Sequence, residues 1–340
     1  MADRAGRGAF VLGADSGGSG LRIALSRAAD GTPSRPPATR TSSEPVRTAP
    51  AGIDAAHLLS QLLPAARELL REAEADGLAA VCIGAAGMAS LGDELRAVLP
   101  GALAEAFGAC HLALAADAVT AYAGALGQRP GAVVAAGTGL IALGTDLTAA
   151  GGWRRADGWG HLLGDCGSGA WIGRAGLEAA LRAHDGRPGG SPALLARAEA
   201  EFGPAAGLPG ALYPRSDRPA VLASFAPQVA GCAADGDPVA TGILHDAARH
   251  IADAAAAVCP PGGRPGCRPV VALTGGLLRT GEPLLGPLRT ALAERLPYAV
   301  QETAAGSALD GALTIAGALA AGRLILPVDD RLLQITRPVG

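Results

Sequence analysis

The sequence predicts an α/β protein built from two domains. A chain of 340 residues is too long for one ordinary hydrophobic core. A strand, a glycine turn and a returning strand occur twice, at residues 9–28 and 132–146. Short apolar strands alternate with helical segments after the first pair, as in layered α/β domains. We therefore expect two β-rich halves of related layout.

The composition excludes several classes of protein. Hydrophobic residues make up 49% of the chain and charged residues 17%, which is typical of a globular protein. The net charge of −3 argues against a surface for nucleic acid or anionic membranes. No apolar run reaches the length of a membrane span, and we expect no secretory signal peptide in the first residues. The six cysteines form no CxxC pair, so we expect a cytoplasmic protein with reduced thiols.

The first half begins with a predicted hairpin. Residues 9–15 (AFVLGAD) and 21–28 (LRIALSRA) are predicted strands, and 16–20 (SGGSG) is the turn between them. The turn lacks the Gly-Lys-Ser/Thr ending of a Walker A loop and the helix of a dinucleotide site. Successive amides at such a tip can bind phosphate, with Asp15 placed to hold hydrated Mg²⁺. A tight hairpin in which Asp15 only accepts turn hydrogen bonds is an equally supported alternative.

The other elements of the first half follow from hydrophobic periodicity. Leucine spacing predicts a helix over 55–74, which we expect Pro64 to break or kink. Asp117 ends an apolar strand and precedes a helix, so it is either an N-cap or a ligand-binding carboxylate at the sheet edge. The remaining predicted elements are strands over 39–43, 79–84 and 111–116 and helices over 93–98 and 118–126.

The second half contains the most unusual stretch, residues 158–173 (GWGHLLGDCGSGAWIG). Glycines and the rare large aromatics Trp159 and Trp171 occur together there, which favours a loop that closes over a small polar ligand. Asp165 lies among glycines, where an unpaired charge would be costly, so a ligand or helix-start role is favoured. Core packing is an equal alternative for Trp159. The remaining predicted elements are strands over 132–136, 140–146, 270–273 and 298–301 and helices over 174–184, 191–202, 219–234, 238–259, 284–296 and 307–322.

These motifs, in this order, resemble the N-acetylglucosamine kinase branch of the BadF/BadG/BcrA/BcrD ATPase family, within the actin, Hsp70 and sugar kinase superfamily. The resemblance is carried by DSGGSGLR (15–22), AAD (115–117), GTG (137–139), the stretch 158–173 and LTGGL (273–277). It implies a two-domain, actin-like (ribonuclease H-like) α/β fold with ATP and sugar bound in the interdomain cleft. The domains would be 8–117, joined by helix 307–322, and 118–306 with helical insertions, leaving 323–340 as a tail.

The resemblance also implies an activity and a site. The activity is ATP- and Mg²⁺-dependent phosphorylation of the 6-hydroxyl of an amino sugar, most often N-acetylglucosamine, by a homodimer. Asp117 would be the general base, and Asp15 would also face Mg²⁺. The implied ATP contacts are Asp15, Ser16, Gly17, Gly18, Ser19, Thr138, Gly139, Gly275 and Gly276, and the implied sugar contacts are Gly158, Trp159, Gly160 and Asp165.

Three positions depart from the family pattern. The GTG turn continues into Leu140 and Ile141, where relatives often carry a Ser-Asn pair that hydrogen-bonds the sugar. Cys166 stands where an acidic residue is usual, and a thiol is normally neutral. The first turn reads DSGGSG rather than DGGGT. These departures leave the identity of the sugar open.

Two other functions remain alternatives. The broader family includes ATPase activators of iron–sulphur 2-hydroxyacyl-CoA dehydratases, but no close cysteine pair is present in this sequence. A non-catalytic regulator that binds sugar and nucleotide is the third interpretation. The presence of Asp15, Asp117 and Thr138 favours the kinase over both.

Overall fold

The computed structural model describes most of the chain, and its strands and helices are numbered in chain order. The predicted phosphate contacts Gly18 and Ser19 lie outside the described residues, as does one of the six cysteines, Cys267. The chain forms two compact units, Met1–Pro130 with Thr145–Trp153 and Thr303–Gly340, and Gly131–Gly144 with Arg154–Glu302. The described residues are 9–17, 20–29, 32–33, 37–45, 47–49, 52–108, 110–262 and 268–337.

The first unit contains a seven-stranded sheet in the order β14-β8-β7-β1-β2-β3, with β4 also paired to β2, and a small sheet of β5 and β6. Its strands are β1 (Ala9–Gly17), β2 (Gly20–Ala29), β3 (Thr32–Pro33), β4 (Ala38–Ser42), β5 (Thr48–Ala49), β6 (Gly52–Ile53), β7 (Ala80–Ala85), β8 (His111–Ala116) and β14 (Leu333–Thr336). Its helices are α1 (Ala55–Glu72), α2 (Met88–Leu91), α3 (Asp93–Phe107), α4 (Asp117–Leu126) and α12 (Ala308–Ala320).

Register in this sheet determines which side chains share an edge. Strands β1, β7 and β8 run parallel, and their register pairs Asp15 with Gly84 and Gly84 with Ala115. Strand β2 returns antiparallel to β1, which pairs Asp15 with Arg22. The carboxyl ends of β1 and β8 therefore reach the same edge of one sheet.

Two helices of the first unit cross at very short range through glycines. A Cβ at Gly124 of α4 would lie 1.9 Å from the Ser307 carbonyl oxygen, and one at Gly311 of α12 would lie 1.8 Å from the Thr120 carbonyl oxygen. This packing explains why α4 belongs to the first unit, whereas the expected boundary fell at residue 117. The expected tail also differs, because β14 pairs antiparallel with β8 as an edge strand.

The second unit is built on a five-stranded sheet in the order β11-β10-β9-β12-β13. Its strands are β9 (Gly131–Ala136), β10 (Leu140–Thr145), β11 (Arg154–Asp157), β12 (Val270–Thr274) and β13 (Val300–Thr303). Its helices are α5 (Gly169–His184), α6 (Pro192–Phe202), α7 (Leu208–Leu212), α8 (Arg218–Ser224), α9 (Ala226–Ala234), α10 (Pro238–Val258) and α11 (Glu282–Arg295). Phe225, Leu244, Ile251 and Leu288 are among the buried side chains that join helices and sheet in one core.

Several helices differ from their predicted bounds. Pro64 lies inside α1 without dividing it, because buried Leu62 and Ala66 continue the packed face on both sides of the missing N–H. Helix α3 likewise continues through Pro100 to Phe107. The predicted helix over 219–234 is two helices that meet at Phe225. No helix in the described ranges combines the length and apolarity needed to cross a membrane.

Candidate functional site

A partly buried ion pair lies close to the turn of the first hairpin. Asp15 is 8% exposed and Ser16 is 2% exposed. The Asp15 carboxylate accepts a hydrogen bond from the Arg22 guanidinium, whose side chain is about half exposed. Because an unpaired buried carboxylate is costly, this pairing explains how Asp15 is tolerated beneath the turn. Sequence reasoning missed Arg22, although the tight turn fixes the register that pairs it with Asp15.

Asp117 lies at the carboxyl edge of the same sheet. It is the first residue of α4, and the N-cap is Ala116, so Asp117 is not the cap residue that the sequence left open. Its Oδ1 accepts a hydrogen bond of 2.9 Å from the Ala118 N–H, and the residue is half-buried. Strand β7 separates β1 from β8, and strands two apart lie about 10 Å from each other. Asp15 and Asp117 therefore lie at the same edge of the sheet, on strands separated by one strand.

In the second unit, the GTG turn is locked to the start of α5. The Gly137 N–H donates to the Gly139 carbonyl at 2.9 Å. The carbonyls of Gly137 and Thr138 accept from the Gly169 and Ala170 N–H groups at 2.8 and 3.0 Å. These are the first two amides of α5, which have no partner within the helix. These hydrogen bonds hold the backbone of the turn in one conformation, and so they fix the position from which the Thr138 side chain extends.

Two carboxylates hold the stretch 158–166 in place. Asp165, 8% exposed, accepts a 3.1 Å hydrogen bond from the Gly160 N–H and another from the Leu140 N–H. A Cβ at Gly139 would lie 2.6 Å from Asp165 Oδ2, so only glycine allows this approach. Asp157, which sequence reasoning missed, accepts from the N–H groups of Asp165 and Cys166 at 2.6 and 2.9 Å.

The pKa of the Asp165 carboxyl is raised above its usual value. Burial raises the pKa of this carboxyl, the Gly160 hydrogen bond lowers it, and the charge of Asp157 raises it again. Asp157 and Asp165 also take positive φ angles, 61° and 53°, which are uncommon for residues other than glycine. The structure thus gives Asp165 partners within its own chain, at the position expected to contact sugar.

The outer face of this loop is apolar and open to solvent. Trp159 is 66% exposed, and Leu162 and Leu163 are 80% and 87% exposed. The Arg155 guanidinium lies 4.7 Å from the centroid of the Trp159 ring and donates to the Gly158 carbonyl at 2.6 Å. Core packing, the alternative considered for Trp159, is therefore wrong.

The other two tryptophans have structural partners. Trp153 donates through Nε1 to the Pro327 carbonyl at 2.8 Å and meets the buried Tyr122 ring edge-on. Trp171 packs edge-on against His250 and against the core of the second unit. Each of these side chains thus packs within its own unit.

The departures from the family pattern have local explanations. The Leu140 side chain is 2% exposed and belongs to the core. Ile141 packs against Gly158, where a Cβ would lie 2.9 Å from Ile141 Cδ1. Burial, with a smaller contribution from the Asp157 charge, raises the pKa of the Cys166 thiol, so this thiol is neutral near pH 7.

A pocket opens beside Gly275 and Gly276. Strand β12 runs parallel to β9 and pairs Thr274 with Ala135, which brings Gly275 beside the end of β9. Gly275 has a φ of 106°, and a Cβ there would lie 2.2 Å from the Ala136 carbonyl oxygen, so packing alone requires glycine. Gly276 lines a pocket of about 470 Å³, a size typical of small-molecule sites. Its other lining residues are Pro227, Ala230, Gly231, Ala234, Arg279, Thr280 and Pro283.

Each of the two glycine turns has one glycine with open space where a side chain would be. A Cβ at Gly137 would have no neighbour within 4 Å, and one at Gly17 would meet only the Ala86 Cβ at 4.0 Å. Since packing does not require glycine at either position, both leave room for phosphate oxygens against the backbone. The described residues contain no group of three or more His, Cys, Asp or Glu side chains placed to hold a metal ion. A Mg²⁺ ion held by Asp15 would take its other ligands from phosphate and water, as is usual for this ion.

Comparison with known proteins decides the family. Residues 12–314 match the sequence model of the BadF/BadG/BcrA/BcrD ATPase family. The chain belongs to this family. The predicted resemblance is thereby confirmed over most of the sequence.

Individual members and neighbours add detail. An N-acetylmuramic acid/N-acetylglucosamine kinase from Clostridium acetobutylicum is 35% identical over 108 residues, which are 32% of this chain and 34% of that protein. The match thus spans about a third of that relative's length. A Chromobacterium violaceum protein provisionally assigned as an N-acetylglucosamine kinase is 28% identical, with a TM-score of 0.65 over 92% of this chain and 99% of the other.

A more distant neighbour bears on the fold alone. A glucokinase of the ROK family from Streptomyces griseus, solved with glucose and AMPPNP, is 19% identical. Its TM-score is 0.50 over 90% of this chain and 98% of the other. The BadF-family chain described here therefore has the mixed α/β, actin-like fold of sugar kinases, as the sequence predicted.

Proposed function

We propose that this chain is an ATP- and Mg²⁺-dependent amino-sugar kinase that phosphorylates the 6-hydroxyl of N-acetylglucosamine. The observation that carries the proposal is the register of the first sheet, which brings Asp15 and Asp117 to one edge. A kinase needs one carboxylate for the metal–nucleotide complex and another for the acceptor hydroxyl. The relatives named above, two of them described as N-acetylglucosamine kinases, support the choice of substrate.

Asp117 is the proposed general base. Its carboxylate is oriented by the Ala118 N–H and lies at the positive end of α4, which favours the ionised form. The Thr120 hydroxyl donates to the Asp117 carbonyl at 2.9 Å and fixes the first turn of the helix. An ionised carboxylate so held accepts a hydrogen bond from a sugar hydroxyl and takes its proton during phosphoryl transfer.

The proposed nucleotide contacts come from both units. Asp15, Ser16 and Gly17 of the first hairpin would face the metal and phosphates, and Gly18 and Ser19 belong to the same turn. In the second unit, Thr138 and Gly139 would hold phosphate, and Gly275 and Gly276 would lie against adenosine in the adjoining pocket. When bound, Mg²⁺·ATP supplies the transferable phosphoryl group and neutralises its charge. The chain supplies position, amide donors and the base.

The sugar would lie against Gly158, Trp159, Gly160 and Asp165. Asp165 acts there by holding the loop, because its hydrogen bonds go to the amides of Gly160 and Leu140. The exposed Trp159 ring offers an apolar face to a sugar ring. Since Leu140 is buried, the sugar must be recognised by other groups than those of a Ser-Asn pair.

A coupled ADP-release assay over a panel of sugars tests the proposal. The panel contains N-acetylglucosamine, N-acetylmuramic acid, N-acetylmannosamine, glucosamine and glucose, and N-acetylglucosamine should give the highest kcat/KM. Its 6-deoxy analogue should bind without stimulating ADP release. Absence of sugar-stimulated ADP release across the panel would refute the kinase, and bound iron in purified protein would favour the activator of a dehydratase. We further propose that the enzyme is cytoplasmic and forms a homodimer. Light scattering after gel filtration checks the dimer through its molar mass.

A further inference from the structure

The ion pair near the first hairpin turn joins a largely buried carboxylate to a half-exposed guanidinium. Arg22 extends from β2, and its side chain is 48% exposed, whereas the Asp15 side chain is 11% exposed. Of the two partners, the guanidinium side chain is thus the more accessible to solvent. A ligand that binds at Asp15 therefore comes into contact with a residue already paired to Arg22.

We propose that Arg22 is the resting counter-ion of Asp15 and transfers to the phosphate chain when a nucleotide binds. This inference rests on the proposed use of ATP. A phosphate chain is repelled by a bare carboxylate, and the repulsion is strong where water is partly excluded. Arg22 removes that repulsion in the resting protein, and it has the planar donor geometry that phosphate oxygens favour.

Arrival of the divalent cation changes the balance at Asp15. With a divalent cation bound beside it, the Asp15 carboxylate would no longer depend on the guanidinium for a neutralising charge. Arg22, on a long and half-exposed side chain, is then free to pair with phosphate. A magnesium ion usually keeps few protein carboxylates and completes its shell with substrate phosphates and water, so metal and phosphate are expected to bind together. The exchange thus couples nucleotide binding to the cation.

The chain offers a matched control on the same strand. Arg27 lies at the far end of the hairpin, paired in register with Phe10, and its guanidinium lies 4.4 Å from the centroid of the Phe10 ring. Substituting Arg27 removes the same charge from the same strand without touching Asp15. It therefore measures the general effect of losing one positive charge.

Calorimetric titration of ADP, with EDTA or with Mg²⁺, tests the exchange. We expect Arg22→Met to weaken metal-free ADP binding at least tenfold and Mg²⁺·ADP binding by a smaller factor. Asp15→Asn should strengthen metal-free binding, since Arg22 is then available to phosphate. The double variant Arg22→Met/Asp15→Asn contains no unpaired buried charge, and its metal-free affinity should return to within threefold of wild type. Arg27→Met should bind as wild type does.

The outcomes separate this inference from the proposed function. Metal-free ADP affinities within threefold for wild type and Arg22→Met would show Arg22 to be a structural partner only, and would overturn the inference. If Arg22→Met fails to fold, Arg22→Gln and the double variant are compared with Asp15→Asn by the same criterion. Wild-type protein that binds no ADP with or without Mg²⁺ would overturn both proposals. Normal ADP binding with the expected variant pattern, but no sugar phosphorylation, would overturn the kinase alone.

Discussion

Substitution of Asp165 distinguishes a loop anchor from a sugar ligand. In Asp165→Ala, the N–H groups of Gly160 and Leu140 lose their acceptor. Hydrogen bonds to a charged group contribute about 1.5–3 kcal/mol each, partly offset here by relief of the buried charge. Alanine also tolerates the φ of 53° less well than Asp or Asn. We expect a net loss of about 2–4 kcal/mol in the free energy of unfolding.

The assay combines urea unfolding with amide hydrogen exchange. A loss of that size lowers Tm by roughly 5–15 °C in a unit of this size. The N–H groups of Gly160 and Leu140 should exchange faster in Asp165→Ala than in wild type. The core amides of β9 should remain ranked by exchange rate as they are in wild type. Asp165→Asn retains one acceptor oxygen and removes the buried charge, so its stability should stay within about 1 kcal/mol of wild type. If Asp165→Ala unfolds at the same urea concentration as wild type, Asp165 does not anchor the loop.

The same residue predicts a pH dependence. Because burial raises the folded-state pKa of Asp165 above its unfolded value, the folded protein binds this proton more tightly. The stabilisation is fully present below the unfolded pKa of about 4 and is lost as pH rises through the folded pKa. Lowering the pH from neutral should therefore favour wild type over Asp165→Asn. A difference between the two that is constant with pH would contradict this assignment.

Three further outcomes follow from the packing of other residues. Gly124→Val should destabilise the first unit by about 3 kcal/mol or more, because its Cβ would overlap the Ser307 carbonyl. The control Gly101→Ala, in open space within α3, should be neutral or stabilising. Equal melting temperatures of the two variants would contradict the close crossing of α4 and α12. Cys166 should react slowly with iodoacetamide at pH 7 and faster as pH rises, since burial raises its pKa; rapid modification at pH 7, measured by mass spectrometry, would show a thiolate. Trp159 should account for most acrylamide quenching of fluorescence, so Trp159→Phe should lose it while Trp171→Phe keeps it.

Strong local signals predicted much of the fold. Both glycine hairpins, strand β8 and the position of Asp117 follow from apolar runs that end in polar or glycine turns. Strands β11 and β14 were missed because each is four residues long and β11 (RRAD) is polar, so only pairing with a neighbouring strand defines them. Pro64 was misjudged because tertiary burial of the α1 face outweighs one lost hydrogen bond.

The candidate site was predicted by motif, and its supporting residues were not. Asp15, Asp117 and Asp165 stand in recognisable glycine-rich or strand-end contexts, which made them visible in the sequence. Asp157 accepts from amides eight and nine residues later, a relation that no local pattern reveals. Arg22 was accessible in principle, because a hairpin with Gly17 opposite Gly20 must pair Asp15 with Arg22.

The most direct test of the kinase is the turnover of Asp117→Asn with N-acetylglucosamine and Mg²⁺·ATP. Asp93→Asn is the matched control, because Asp93 is also the first residue of a helix but has a side chain that is 95% exposed. We expect kcat to fall about 10²–10⁴-fold in Asp117→Asn, with ADP affinity unchanged, and to stay at the wild-type value in Asp93→Asn. An Asp117→Asn enzyme that retains wild-type kcat would remove Asp117 from the role of general base.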